Sequence, residues 1–135
     1  RLNGIGRAEC DARLAELSRL LDMGEYLDRR TSGFSTGMRQ KTLIARAIIH
    51  RPRLLLLDEP TNGLDLRGAE NIFTFIRRYA ADGGTVIFSS HHLEAVAALS
   101  DRVAVLHKGE LIAYQAPDEF PSGLNGYMST VMSAS

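Results

Sequence analysis

Leu54-Leu55-Leu56-Leu57-Asp58-Glu59-Pro60 is the stretch on which the reading of this 135-residue chain turns. Four apolar residues run straight into two adjacent carboxylates, and a proline stops the run. A short, fully apolar run predicts a strand buried on both faces, as in a parallel sheet. Acids at the carboxyl end of such a strand stand where an open α/β sheet binds its ligands. Two carboxylates there are placed to hold a metal ion and activate a water. Taken alone, the same letters also describe an ordinary buried strand that ends in a solvated acidic turn.

Working outward, Ser35-Thr36-Gly37 predicts the capped start of a helix that runs through Leu43, Ala47 and Ile48 to His50, where Pro52 ends it. Further upstream, Glu9 to Met23 carries Cys10, Leu14, Leu17 and Leu21 at helical spacing, with one buried face and Gly24 as the stop. A polar connector, 28–33, joins the two helices. Beyond the acids, Asp65 is placed to cap a helix bearing Ile72, Phe73, Ile76 and Tyr79, closed by Gly83-Gly84. Thr85 to Ser89 predicts a second strand, His92 to Ser100 a short helix, and Val103 to Leu106 a third strand. Lys108-Gly109 predicts a hairpin turn into Leu111-Ile112-Ala113. Asp118-Glu119-Phe120 starts a helical turn, and Tyr127 to Ser135 reads as part of a weakly ordered tail over 121–135. The alternation of strand and helix predicts an α/β unit with a parallel sheet.

Composition narrows the function classes. Hydrophobic residues make up 44% and charged residues 24%, the balance of a soluble globular domain. Sixteen basic residues balance sixteen acidic ones, so the basic excess of a nucleic-acid-binding surface is missing and no nucleic-acid partner is expected. Cys10 stands alone and forms no internal disulfide, which fits a reducing compartment. No apolar run reaches the roughly 18 residues of a membrane span. Arg1-Leu2-Asn3-Gly4 is followed by no signal-peptide apolar region, and position 1 is not methionine, so the chain is expected to begin inside a longer protein.

Four segments in register carry a family resemblance. Phe34-Ser35-Thr36-Gly37-Met38-Arg39-Gln40 resembles the signature motif of ATP-binding-cassette (ABC) ATPases. Leu54 to Glu59 resembles that family's Walker B strand, Asn62-Gly63-Leu64-Asp65 its D-loop, and Ser89-Ser90-His91 the strand end with its switch histidine. The resemblance runs from about Gly6 to Phe120. Phe34, Thr36 and Met38 depart from the commonest signature. They are similar to the variant in bacterial export-type members, the sodium-extruding NatA-like and the multidrug or antibiotic exporters.

The resemblance implies a fold, an activity and roles. The fold would be a partial P-loop NTPase core over 1–120: a helical subdomain remnant with the signature motif (1–50), then parallel strands and a carboxyl-terminal β-hairpin (51–120). The activity would be ATP hydrolysis driving transmembrane transport, with ATP and Mg²⁺ bound. Asp58 would hold Mg²⁺, for which one carboxylate suffices because this ion keeps much of its water shell. Glu59 would be the general base or orient the attacking water. His91, rather than its neighbour His92, would donate to the γ-phosphate. Ser35, Thr36 and Gly37 would reach ATP held by a second nucleotide-binding subunit paired head to tail, at a helix amino terminus suited to anions. Asp65 would sit at the seam of that dimer. A transmembrane permease would be the other partner, and the location the cytoplasmic face of the cell membrane.

No Gly-x-x-x-x-Gly-Lys-Ser/Thr loop occurs in residues 1–135. That loop cradles phosphates with backbone N–H groups and supplies a lysine. The chain is therefore expected to be the carboxyl-terminal part of a longer ATPase and inactive alone. The lost phosphate-loop strand is expected between the Thr85–Ser89 and Val103–Leu106 strands. Two other readings stay open: a non-catalytic module that lends Ser35 and Gly37 to a partner's ATP, and a soluble ABC-type ATPase that works on ribosomes or DNA.

Overall fold

In the computed structural model, which describes residues 6–133, the four leucines form strand β1, Leu54–Leu57. Strand β2, Thr85–Phe88, lies parallel to it, with Leu54 opposite Thr85 and Leu57 opposite Phe88. Two further backbone bonds bracket the ladder: Thr85 N–H to the Arg53 carbonyl at 2.8 Å and Ser89 N–H to the Leu57 carbonyl at 2.9 Å. Three helices accompany this pair: α1 (Arg7–Leu20), α2 (Thr36–Ile48) and α3 (Leu66–Ala81). They and the strands form one compact unit ending at Ser89.

The leucine run is not buried on both faces. Leu55 and Leu57 are 2% and 8% exposed and join Ile44, Ala45 and Ile48 of α2 and Ile72, Phe75 and Ile76 of α3 in the core. Leu54 and Leu56 are 50% and 67% exposed, as is Ile87 of β2 at 58%. Strand side chains alternate between faces. Only the odd-numbered leucines meet the core helices of this unit, so a sequence suited to a two-sided layer shows a one-sided one. Across the described residues the chain forms two two-stranded sheets, β1 with β2 and a second that pairs Val103–His107 with Glu110–Gln115.

Helix α1 departs from its expected limits. It ends at Leu20, before Gly24, because Asp22 takes the left-handed conformation (φ 53°) and Met23 N–H returns to the Ser18 carbonyl at 2.8 Å. Asp tolerates that conformation better than most residues. Its apolar face is correspondingly shifted: Leu17, Leu20, Leu21 and Met23 pack into the core, while Leu14, expected there, is 38% exposed. Arg13 ties α1 to the end of α2 by donating to the Ile49 carbonyl at 2.8 Å. At the far end of α3, Gly83 turns left-handed (φ 89°), and Gly84 N–H closes on the Tyr79 carbonyl at 3.0 Å. The Tyr79 hydroxyl donates to the Pro52 carbonyl, pinning α3 to the entry of β1.

The second unit runs from Ser90. It holds α4 (Leu93–Leu99), β3 (Val103–His107), β4 (Glu110–Gln115) and α5 (Gly123–Ser133). Lys108 and Gly109, both at positive φ (48° and 86°), make the tight turn that pairs β3 antiparallel with β4. The segment expected as a tail carries α5 instead. Its order comes from packing: Phe120 and Leu124 are buried with Val103 and Val105, and Tyr127 meets Phe120 edge-on at 5.1 Å. The helical pattern there is thin in polar contrast, which hides it from periodicity.

Two outcomes follow for stability. Ile72 has no exposed surface, so Ile72→Ala should cost about 3 kcal/mol in urea denaturation, against about 0.5 kcal/mol or less for Leu66→Ala, which is 79% exposed. Burial pushes the Tyr79 phenol above its ordinary value, with Arg51 pulling weakly the other way. The neutral form is therefore favoured by folding. Its contribution is complete below pH about 10 and is lost as pH rises through the raised folded value. Thermal unfolding across that alkaline range should show the loss in the wild type and a smaller one in Tyr79→Phe.

Candidate functional site

The carboxyl ends of β1 and β2 are joined by one side chain. The Ser89 hydroxyl donates to Asp58 Oδ1 at 2.6 Å, and the Glu59 N–H donates to the same Ser89 oxygen at 2.8 Å. The parallel register makes this possible: Leu57 opposite Phe88 brings Ser89 level with the two acids. Ser89 holds Asp58 by a charge-assisted bond and accepts the backbone of Glu59, so both acids take their position from one hydroxyl. In the sequence Ser89 marks only the end of a strand. The available signal was a hydroxyl residue directly after the strand that pairs with the acidic one.

Backbone conformation adds a second constraint. Glu59 adopts φ 43°, in the left-handed region that a residue with a Cβ enters at a cost of about 1–2 kcal/mol. Pro60 beside it is fully buried, and Asn62 N–H closes a turn onto the Glu59 carbonyl at 3.0 Å. The Thr61 side chain is 4% exposed, and its hydroxyl has no hydrogen-bond partner. Asp58 is exposed and Glu59 half-buried. The acids thus sit at an open edge on a tightly wound loop.

Ser35 and Asp65 cap the two helices that flank this loop. Ser35 Oγ accepts from Met38 N–H at 3.2 Å at the start of α2, and Asp65 Oδ1 accepts from Gly68 N–H at 2.8 Å at the start of α3. Both caps match expectation. Phe34, buried against the Tyr26 ring at 5.1 Å, anchors the chain before Ser35. Ser35 and Thr36 are exposed, with Gly37 partly covered. The amino ends of α2 and α3 meet through the 61–64 turn. Thr36 Cγ2 lies 2.6 Å from where a Cβ on Gly63 would stand, and Leu64 Cδ2 lies 3.0 Å from where one on Gly37 would stand.

The structure therefore assembles Asp58 and Glu59, and separately Ser35, Thr36, Gly37 and Asp65, on one unit. His91 belongs to the second unit. Its ring packs on that of His92 at 4.3 Å between centroids, and His92 N–H is held by Ser90 Oγ at 3.1 Å at the start of α4.

Among the described residues no three acid, histidine or cysteine side chains cluster as a metal cage. The donor set is instead an exposed carboxylate with one oxygen held by Ser89. This suits Mg²⁺, an ion that takes one or two protein oxygens and fills its octahedron with water and phosphate oxygens.

Comparison with known proteins gives the family. The family model described as "ABC transporter" matches residues 2–62, which include the Ser35–Gly37 cap and both acids. The chain is 47% identical over 112 residues to the ABC transporter ATP-binding protein NatA of Bacillus subtilis, covering 83% of this chain and 46% of that protein. It is 43% identical over 110 residues to the cobalt import ATP-binding protein CbiO of Rhodobacter capsulatus, covering 82% and 39%. Among solved structures, an ATP-binding subunit of an ABC transporter superposes with a TM-score of 0.86 at 26% identity, over 96% of this chain and 57% of that one. The chain belongs to the ATP-binding domain family of ABC transporters, with a P-loop NTPase fold of mixed helix, parallel strand and carboxyl-terminal antiparallel hairpin. It spans under half the length of the curated relatives it matches.

The caps give a direct test. Asp65→Ala should lower stability by about 1 kcal/mol and speed amide exchange at Gly68, whereas Asp65→Asn, an equally good cap, should do neither. Native-state hydrogen exchange reads both.

Proposed function

We infer that this chain is the signature and Walker B portion of an ATP-hydrolysing subunit that powers transport across a membrane. The observation that carries this reading is the Ser89 bridge, which fixes two adjacent acids at the carboxyl end of a parallel strand. Hydrolysis of a phosphoanhydride needs charge neutralisation, a positioned water and exclusion of solvent. Asp58 is the group to hold Mg²⁺, directly or through its water shell. Bound there, the ion would neutralise phosphate charge. Glu59 takes the role of orienting the attacking water and receiving its proton on the carboxylate. His91 takes that of hydrogen-bond donor to the terminal phosphate.

Ser35, Thr36 and Gly37 present the amino end of α2 to phosphates bound by a second copy, paired head to tail. Backbone N–H groups and the helix dipole favour an anion there. Asp65 lies at the seam of that pair. The remaining partner is a transmembrane permease, which places the subunit at the cytoplasmic face of the cell membrane. No helix of the described residues is long and apolar enough to cross a membrane. Export is the direction suggested by Phe34, Thr36 and Met38. Residues 1–135 carry no phosphate-cradling loop, so on their own they should bind ATP weakly and turn it over negligibly.

The decisive experiment joins a phosphate-loop portion to the amino end of this chain, so that the two together make one complete cassette in which Glu59 is the acid. Magnesium-dependent phosphate release should appear. Glu59→Gln should reduce it at least about a hundredfold while leaving nucleotide binding intact, because only the proton-accepting group is lost. Unchanged turnover in Glu59→Gln would remove Glu59 from the chemistry.

A further inference from the structure

On the helix side of the first unit lies a cavity of about 490 Å³, at the end of the β1–β2 sheet opposite the acids. Pro52 and Arg53 bound it at the entry of β1, and Gly83 and Gly84 at the entry of β2. Leu17 and Leu20 of α1, Ile48 of α2 and Phe75 of α3 give it an apolar floor. The Tyr79 ring closes the wall at Gly84, lying where a Cβ on that glycine would stand, and its hydroxyl is engaged by the Pro52 carbonyl. Small-molecule sites have volumes of roughly 300–1,000 Å³ and combine an apolar lining with a few placed polar groups.

Here the polar groups are charged, and they do not cancel. Arg51, Arg53 and Arg78 line the cavity against Glu16 and Asp82. Glu16 is occupied by Arg51 at 3.7 Å. Among the described residues Arg53 and Arg78 make no ion pair and no side-chain hydrogen bond. Both are exposed, so two unpartnered guanidinium groups stand at the rim of an apolar floor. Arg51 is left-handed (φ 48°) at the end of α2, where glycine would sit without penalty. The strained residue there is the one whose guanidinium engages one of the two lining acids.

Charge and surface together define the ligand. A polyphosphate suits the guanidinium groups and leaves the floor uncovered. A neutral hydrocarbon covers the floor and takes the guanidinium groups out of water without a partner, which is unfavourable. A cation meets like charge. A carboxylate on an apolar body satisfies both parts, since a guanidinium pairs with a carboxylate through two parallel hydrogen bonds and the body removes apolar surface from water. The cavity lies on the face to which Leu55 points, so a layer laid over Leu54 and Leu56 would leave it open.

We propose that this cavity binds a small amphiphilic carboxylate, with its tail on Leu17, Leu20, Ile48 and Phe75 and its head between Arg53 and Arg78. The site is separate from Asp58 and Glu59 and needs nothing from the reading of ATP hydrolysis.

The test titrates decanoate, below its micelle concentration, into the full-length protein by isothermal calorimetry. Decan-1-ol and decyltrimethylammonium are titrated beside it, because they keep the tail and change the head. Decanoate should bind saturably, one molecule per chain, at least about tenfold more tightly than either. Arg53→Gln combined with Arg78→Gln should bring decanoate down to the level of the alcohol with the urea midpoint unchanged, since both side chains are exposed. Should that pair lower the midpoint, Arg53→Lys with Arg78→Lys keeps the charge, loses the planar fork and should cut the preference for decanoate at least about threefold. Hydrogen exchange with decanoate bound should slow at 79–84 and not at 58–65. Absence of saturable binding overturns the proposal. So do equal affinities for the three head groups, an affinity indifferent to the arginine substitutions, or protection at 58–65 instead.

Discussion

The parallel pairing of β1 with β2 is the constraint on which the site depends. Leu57 opposite Phe88 sets the register, and the Ser89 N–H to Leu57 carbonyl bond carries the ladder one step past the strands. That extra step delivers a hydroxyl to Asp58 and to the Glu59 amide at once. A slip of one residue would exchange Ser89 for Phe88 or Ser90 and turn every side chain of β2 to the opposite face. The apolar contacts that fix the register, Leu55 and Leu57 inward with Val86 and Phe88 against α2 and α3, are thus also what aims the polar group.

Much of this was legible in the residues. The helix starts at Ser35 and Asp65, the acidic strand end and the Lys108-Gly109 turn each follow from local chemistry: a cap needs an oxygen acceptor, and a two-residue turn tolerates positive φ at Gly. Four features were not. The exposure of Leu54 and Leu56 depends on which layers meet the sheet, and a four-leucine run is silent about that. The end of α1 at Leu20 rests on a left-handed Asp22, a conformation that Gly24 advertised more strongly. The order of α5 rests on Phe120 and Tyr127, whose edge-on contact is made by packing and leaves no period in the sequence. Ser89 was missed for a related reason: its importance comes from a cross-strand neighbour 31 residues away.

The same distinction separates the two groups of site residues. Caps are local, since Ser35 reaches three residues to Met38 and Asp65 three to Gly68. They would form in almost any fold that kept those helices, so their geometry alone says little about function. The acid pair is different, because its geometry exists only when two strands distant in sequence are paired in one register. The Ser89 bridge therefore carries more weight for function than either cap.

Strain points the same way. Glu59 at φ 43° is an unfavourable conformation for an acidic residue, and a glycine there would relieve it. Residues held in such conformations persist where the surroundings over-determine them, and they concentrate at sites of function. Here the over-determination is visible: Ser89 holds the Glu59 amide, Asn62 holds its carbonyl, and buried Pro60 fixes the chain immediately after it. A carboxylate that served only to solvate a strand end would need none of these restraints, since any relaxed turn would expose it equally well. Three independent restraints on one strained glutamate are what a fold must provide when the position of that carboxylate, and not merely its charge, is what matters.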